Sequence, residues 1–325
     1  MERIRFGRCD QEVSRVALGT WSFGGPHMQG RIPIGWGAQD DRGALEALER
    51  AYDGGITHWD TADGYGGGNS ERLIGSVWDR VPRTEVFLAT KVGWVKGPHP
   101  HFYHPDQMRR QLENSLRSLR TETIDLYYLH HCDFGRDDRH LEPALEKIHR
   151  FQEEGKIRFL GLSDWSSEKI LRLCPRLDPD VVQPYRNAFE DGYVNSGLAQ
   201  WVKEKDLGVA FFSPLKHGLL LGKYRQPPDF ETGDMRARVR EFRDQALLDR
   251  FSSAARQLEQ RFDHPQPVLH ALIGVLLSDS PTASVLLGQR SADQAAAAAQ
   301  LGEALDASTA AWVRSLYHGD PPQVL

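Results

Sequence analysis

Four side chains of this 325-residue sequence form a set that could reduce a carbonyl group: Asp60, Tyr65, Lys91 and His130. A carbonyl oxygen gains negative charge as hydride reaches its carbon, so it needs a proton donor and a polarising hydrogen bond. Tyr65 would be the general acid. An ordinary phenol, with a pKa of about 10, holds its proton too tightly for ready exchange at neutral pH. A lysine ammonium alongside favours the phenolate and lowers that value. Lys91 would play this part, Asp60 would keep Lys91 charged and oriented, and His130 would donate a second hydrogen bond to the oxygen. Singly, each has a plainer reading: Asp60 caps a loop, Lys91 is a solvated cation, and Tyr65 is an aromatic residue in the turn DGYGGGNSE.

Their places along the chain weigh against the plainer readings. Runs rich in β-formers occur at 15–18, 57–59, 86–89, 124–129, 157–162, 181–183, 208–212 and 284–287. At or just past their ends stand Gly19-Thr20-Trp21, Asp60, Lys91, His130, Ser163-Asp164, Gln183, Phe212-Ser213 and Gly288-Gln289-Arg290. Amphipathic helices separate the runs. Asp40 or Asp41 can cap one that carries Leu45, Leu48 and Tyr52 and stops at Gly54. Asp106 starts another, with Met108, Leu112, Leu116 and Leu119 on one face. Pro143 suits a first helical position, with Gly155 as the stop. Ser166 or Ser167 begins a fourth, and Ser196 begins a fifth that ends before Gly208.

Strand–helix alternation of this kind implies a parallel sheet. Eight units imply a closed α/β barrel, a (β/α)8 TIM barrel whose active site lies at the C-terminal ends of the strands. An open dinucleotide-binding sheet would carry G-x-G-x-x-G after its first strand, and none is present. GLLLGK (218–223) is one residue short of a P-loop and lacks the following Ser or Thr. No repeat, linker or charge block divides the chain, so a single domain over 1–325 is expected.

The composition, 40% hydrophobic and 26% charged, suits a globular protein, and the net charge of −5 argues against a nucleic-acid partner. No apolar run approaches the ~20 residues of a membrane span, and residues 1–10 lack the apolar stretch of a signal peptide. Cys9, Cys132 and Cys174 imply no disulfide framework. A cytoplasmic enzyme is expected, with no membrane partner. HPHFYH (99–104) has metal-like spacing but only Asp106 nearby, so it reads as a loop, and no metal site is expected. His131 should point away from His130, because adjacent strand residues face opposite sides. Of the tryptophans, Trp21 and Trp94 should face substrate, together with Tyr65 and His130. The segment 234–250 reads as a solvated helix face that could also close over a cofactor.

These residues resemble the aldo-keto reductase superfamily. The likeness is carried by WDTADGYGGGNSERLIG (59–75), LATKVGW (88–94), IDLYYLHHCD (124–133), GLSDWSSEKI (161–170) and FFSPLKHGLLLGKY (211–224), and it runs from about residue 5 to 305. The resemblance implies a reversible, NADP(H)-dependent oxidoreductase, with NAD(H) as the alternative cofactor and a small carbonyl compound as substrate. It makes Asp60, Tyr65, Lys91 and His130 the catalytic tetrad and puts Gly19, Thr20, Trp21 and Asp60 beside the cofactor. It assigns Ser163, Asp164 and Gln183 to the nicotinamide carboxamide and Phe212 to stacking on the nicotinamide. Ser213, Pro214, Leu215, Gly222 and Lys223 would line the pyrophosphate, and Gly288, Arg290 and Gln294 the adenosine end.

The sequence departs from the family pattern in places. Asp164 replaces the usual Asn, and it can accept from an amide but not donate to one. Phe212 replaces a common Tyr, and Ala297-Ala298 stand where a Glu-Asn pair usually meets adenine. The short stretch after the last helix makes a long C-terminal substrate loop unexpected, as in bacterial members and potassium-channel β-subunits. Two other functions fit the same residues less fully: a redox-sensing regulatory subunit with slow turnover, and a Schiff-base barrel enzyme that uses Lys91.

Overall fold

In the computed structural model, which describes residues 1–318, eight parallel strands close into a barrel. They are β1 (Val16–Gly19), β2 (His58–Asp60), β3 (Phe87–Val92), β4 (Ile124–Leu129), β5 (Ile157–Asp164), β6 (Val181–Pro184), β7 (Gly208–Phe211) and β8 (Ala283–Gly288), and β8 pairs with β1 to complete the ring. All eight expected strands are present, with ends shifted by a few residues. The last residues of the single-domain reading, 319–325, lie outside the described residues.

The helices are α1 (Asp41–Asp53), α2 (Asn69–Gly75), α3 (Pro105–Ser118), α4 (Leu141–Glu153), α5 (Ser167–Leu177), α6 (Gly192–Asn195), α7 (Leu198–Glu204), α8 (Gln245–Arg261), α9 (Pro267–Leu277), α10 (Ala292–Ala298) and α11 (Ala307–His318). Asp40 caps α1 by accepting from the amides of Arg42 and Gly43, and Ser166 caps α5 through Lys169 N–H. Three expected starts move. α3 begins at Pro105, capped by the ring nitrogen of His104 rather than started by Asp106, because Pro at the first position forfeits no hydrogen bond. α4 begins at Leu141, two residues before Pro143, and α7 begins at Leu198 after Gly197 in a left-handed turn. Segment 234–250 is not one helix face. It forms two short 3-10 turns, Met235–Arg238 and Arg240–Arg243, broken by extended backbone at Val239 and Asp244, before α8 starts.

The period-2 alternation of the strands makes two cores. Val16, Leu18, Trp59, Leu88, Tyr127, Leu129 and Val209 face outward and meet the helices. Ala17, Phe87, Ala89, Leu126, Tyr128, Val181, Ala210 and Leu286 fill the barrel, which Phe6 closes from below on the N-terminal hairpin of Arg3–Arg5 and Glu12–Ser14. At the mouth, the loop after β1 pairs with the loop after β7: Gly35 bridges Asp234, and Met235 N–H donates to Gly35 C=O.

Candidate active site

The inward alternation delivers the reactive residues. Phe87 and Ala89 point into the barrel, so Lys91 does too. Leu126 and Tyr128 point inward, so His130, just past β4, follows them into the mouth. Asp60 ends β2, one residue after the outward-facing Trp59, which stacks on Trp78. Tyr65 sits in a turn whose glycines adopt φ values of 59°, 62° and 90° at Gly66, Gly67 and Gly68. Gly66 has no alternative, since a Cβ there would lie 2.3 Å from Gly24 O.

Lys91 is 1% exposed and spends its three hydrogens within this set. Nζ donates to Asp60 Oδ1 at 2.5 Å, to Thr61 C=O at 2.7 Å and to Tyr65 OH at 3.3 Å. Gln183 Nε2 donates to the other Asp60 oxygen at 2.9 Å, and Ser163 Oγ donates to Gln183 C=O at 3.1 Å. Burial works against the Lys91 charge, but Asp60 and Tyr65 more than reverse this and hold the ammonium above its ordinary range. A lysine in this state is a cation and not the neutral amine a Schiff base requires. His130 has its pKa driven well below the usual value by burial and by Lys91 and His131, so it is a neutral imidazole; its buried Nδ1 has no partner among the described residues. One expectation is corrected. Burial raises the pKa of Tyr65 above the ordinary phenol value, and Lys91 limits the rise rather than bringing the value below it.

Aromatic rings enclose this group. Trp21 stacks on Tyr65 at 5.9 Å, and Trp94, 41% exposed, meets His130 edge-on at 5.9 Å. Thr20 is buried, and both its N–H and Oγ1 donate to Asp60 C=O, so it ties β1 to β2; Gly19 pairs with Asp60 in register. Asp164 also differs from expectation. Its oxygens accept from Cys132 N–H at 2.7 Å and from Ser166 N–H at 2.9 Å, which joins the exit of β4 to the start of α5. A carboxylate can accept on both oxygens where Asn offers only one, which accounts for Asp at this position.

Past β7, Phe212 meets Trp165 and Tyr185 edge-on at 4.9 and 5.5 Å. Left-handed backbone follows at Ser213, Lys216, His217 and Gly218, where Lys216 N–H donates to Ser213 C=O and Gly218 N–H to Leu215 C=O, while Pro214 is buried and Leu215 half-buried. A Cβ on Gly218 or Gly288 would meet nothing within 4 Å, so backbone is bare at both places. This open backbone suits a dinucleotide phosphate chain. Gly222 packs so closely on α8 that a Cβ would lie 2.4 Å from Phe251 O. Lys223 is exposed beside the Tyr224 ring. Arg290 donates through Nε to Gln39 Oε1 at 3.0 Å and through Nη2 to the carbonyls of Gly37 and Ala38, and Gln294 accepts from Arg290 N–H. Ala298 is fully buried where α10 meets α1, a docking the larger Asn would hinder.

The sequence reading missed Trp165, Tyr185, Lys216 and His217. They line a cavity of about 660 Å³ with Glu190 and Glu241, on the Phe212 side of the mouth and away from Tyr65. The position of Trp165, directly after Asp164 at a strand end, was the one available signal. His99 stacks on His104 and His101 on His140, and no cluster of metal-ligating residues occurs among the described residues.

A family model described as the aldo/keto reductase family matches residues 15–317. The chain is 31% identical over 292 residues to an aldo-keto reductase, YhdN, of Bacillus subtilis, a match that covers 88% of this chain and 84% of that one. It is 26% identical over 260 residues to an NADH-specific methylglyoxal reductase of Escherichia coli, covering 76% of this chain and 77% of the relative. Among solved structures, a glycerol dehydrogenase of Gluconobacter oxydans superposes with a TM-score of 0.79 at 27% identity, covering 99% and 98% of the two chains.

Proposed function

The chain belongs to the aldo/keto reductase family, oxidoreductases acting on carbonyl compounds, and we propose that it interconverts a small aldehyde or ketone with its alcohol using NADP(H), with Tyr65 as the general acid. One observation carries this reading: Lys91 Nζ lies 3.3 Å from Tyr65 OH, and among the described residues the Tyr65 hydroxyl donates its proton to no acceptor. The proton is therefore available to a substrate oxygen, and the ammonium stabilises the phenolate that remains once it is given. Neutral His130 can donate one N–H to the same oxygen, and Asp60 holds Lys91 in place through a buried ion pair.

A dinucleotide would be held by Phe212, by the loop of Ser213 to Gly218 with its open backbone at Gly218, by the open backbone at Gly288, and by Arg290 at the far end. Bound there, a reduced nicotinamide supplies the hydride that completes the two-electron reduction of the carbonyl. Arg290 favours NADP(H), since a guanidinium matches a 2′-phosphate. Arg290 also donates to the carbonyls of Gly37 and Ala38, and NAD(H) is the alternative cofactor. The test is to mix the protein with NADPH or NADH and a panel of short aldehydes and to follow nicotinamide absorbance. Steady oxidation with at least one aldehyde is expected. Tight dinucleotide binding without turnover would replace this reading with that of a redox-sensing regulatory subunit.

A further inference from the structure

We infer that His131, the neighbour of His130, is a positioning residue that locks the exits of β3 and β4 together and holds Trp94 against His130. This rests on the proposed reductase reading only for its kinetic consequences. His131 is 6% exposed. Its Nε2 lies 2.7 Å from the carbonyl of Gly93, two residues past Lys91, and its Nδ1 accepts from Asp133 N–H at 3.2 Å. A carbonyl on one nitrogen and an amide N–H on the other admit a single form, the neutral imidazole with its proton on Nε2. Burial, by disfavouring the charged ring, keeps it in that form.

The backbone of the same residue is bound as well. His131 N–H donates to Tyr103 OH at 3.0 Å, and that hydroxyl donates to His131 C=O at 2.6 Å. The next residue, Cys132, is pinned through its N–H to Asp164. Gly93, at φ 147°, leaves the room this clamp needs, since a Cβ there would lie 2.8 Å from Tyr103 OH. Around the ring stand Trp94 at 5.0 Å, Phe102 at 5.4 Å and Tyr103 at 4.9 Å. The loop of residues 93–104 therefore wraps one imidazole, and Trp94, carried on that loop, has its ring edge-on to His130. A hydrophobic residue could fill the volume but would leave both the Gly93 carbonyl and the Asp133 amide without partners.

The test compares His131→Phe, which keeps an aromatic ring without the polar atoms, with His131→Gln, which keeps one donor and one acceptor. For His131→Phe, kcat should fall and the carbonyl KM should rise, each by about tenfold, as expected of a small misplacement of reacting groups. The dinucleotide Kd should stay within about twofold, since its contacts lie on the other strands. His131→Gln should recover most of both losses. Amide hydrogen exchange in residues 93–104 and at Cys132 should accelerate at least tenfold in the Phe variant and return toward wild type in the Gln variant. That readout needs no turnover, so a protein that reduces no carbonyl would refute the proposed function while exchange still reports on the clamp. Should His131→Phe fail to fold, Tyr103→Phe removes the hydroxyl that grips the His131 backbone and should give the same pattern at smaller size. Unchanged exchange in these variants, or a dinucleotide Kd that worsens in step with KM, would overturn the inference.

Discussion

The barrel mouth holds two buried lysines, each beside a tyrosine and a carboxylate, and the two sets are arranged differently. Lys91 meets Asp60 and Tyr65; Lys216, 4% exposed, meets Glu190 at 2.6 Å, Glu241 at 2.9 Å and Tyr185 OH at 3.4 Å. The difference lies in the tyrosine proton. Tyr185 donates its hydroxyl to Glu190 Oε2 at 2.5 Å, and burial with the adjacent carboxylate pushes its pKa far above the ordinary value. The Tyr65 hydroxyl accepts from Lys91 and, among the described residues, donates to no acceptor. The ion pairs also differ: Lys216 pairs with two carboxylates, Glu190 and Glu241, and Lys91 with Asp60. Lys216 instead joins the loop after β6, through Glu190, to the short turns before α8, through Glu241. A lysine beside a tyrosine is thus insufficient for a general acid. The phenol must also have no internal acceptor.

The largest expected effect separates the two tyrosines. Tyr65→Phe should lower turnover by about 10²–10⁴ or more, the scale of general acid catalysis, while dinucleotide binding persists. Tyr185→Phe should change turnover by less than about tenfold. Similar turnover losses measured for both variants would remove the distinction.

The lysines should then divide by type of damage. Lys91→Met should abolish most activity, Asp60→Asn should cost less, and the double variant should fall far short of the product of the two losses, as expected of residues acting as a unit. Lys216→Met should spare the chemistry but lower thermal stability by about 1–3 kcal/mol, below the usual cost of breaking a buried pair because both carboxylates are about a third exposed. Stability curves and kcat for the same variants check both halves.

The last comparison concerns the pH dependence that the carboxyl groups behind Lys91 impose on stability. Burial pushes Asp63 up to about 7 and Glu71 up to about 7. Asp63 accepts from Gln111, and Glu71 accepts from Thr90. Both folded values lie above the unfolded ones, so the folded chain binds more protons in between. Stability from these groups is complete below about pH 4 and is lost as pH rises through 7. Asp63→Asn should flatten that decline, by at most about 4 kcal/mol between pH 4 and 8. Thermal midpoints across that range measure it, and an unchanged slope would show that Asp63 does not titrate there.

Much of this was legible in the chain because it depends on local periodicity. Alternation in FLATKV and IDLYYLHH puts Lys91 on the same face as Phe87 and Ala89, and His130 on that of Leu126 and Tyr128, whatever surrounds them. The capping residues Asp40 and Ser166 and the glycines after Tyr65 likewise act on neighbours a few residues away. The eight strands and the shared rim of Asp60, Tyr65, Lys91 and His130 follow from such short-range rules.

What only the tertiary structure decided are the interactions between residues far apart in sequence. Nothing near Asp164 announces that its carboxylate serves Cys132, 32 residues earlier, or that Arg290 would spend donors on carbonyls some 250 residues before it. Lys216 reads as one residue in a glycine-rich loop until Glu190 and Glu241 are folded around it. The pKa of Tyr65 shows the same limit: the sequence identifies the nearby ammonium, but how much water the fold removes from the phenol decides the direction of the shift. Periodicity and turn chemistry are written in adjacent residues, whereas desolvation and partner choice arise only when distant segments exclude water together.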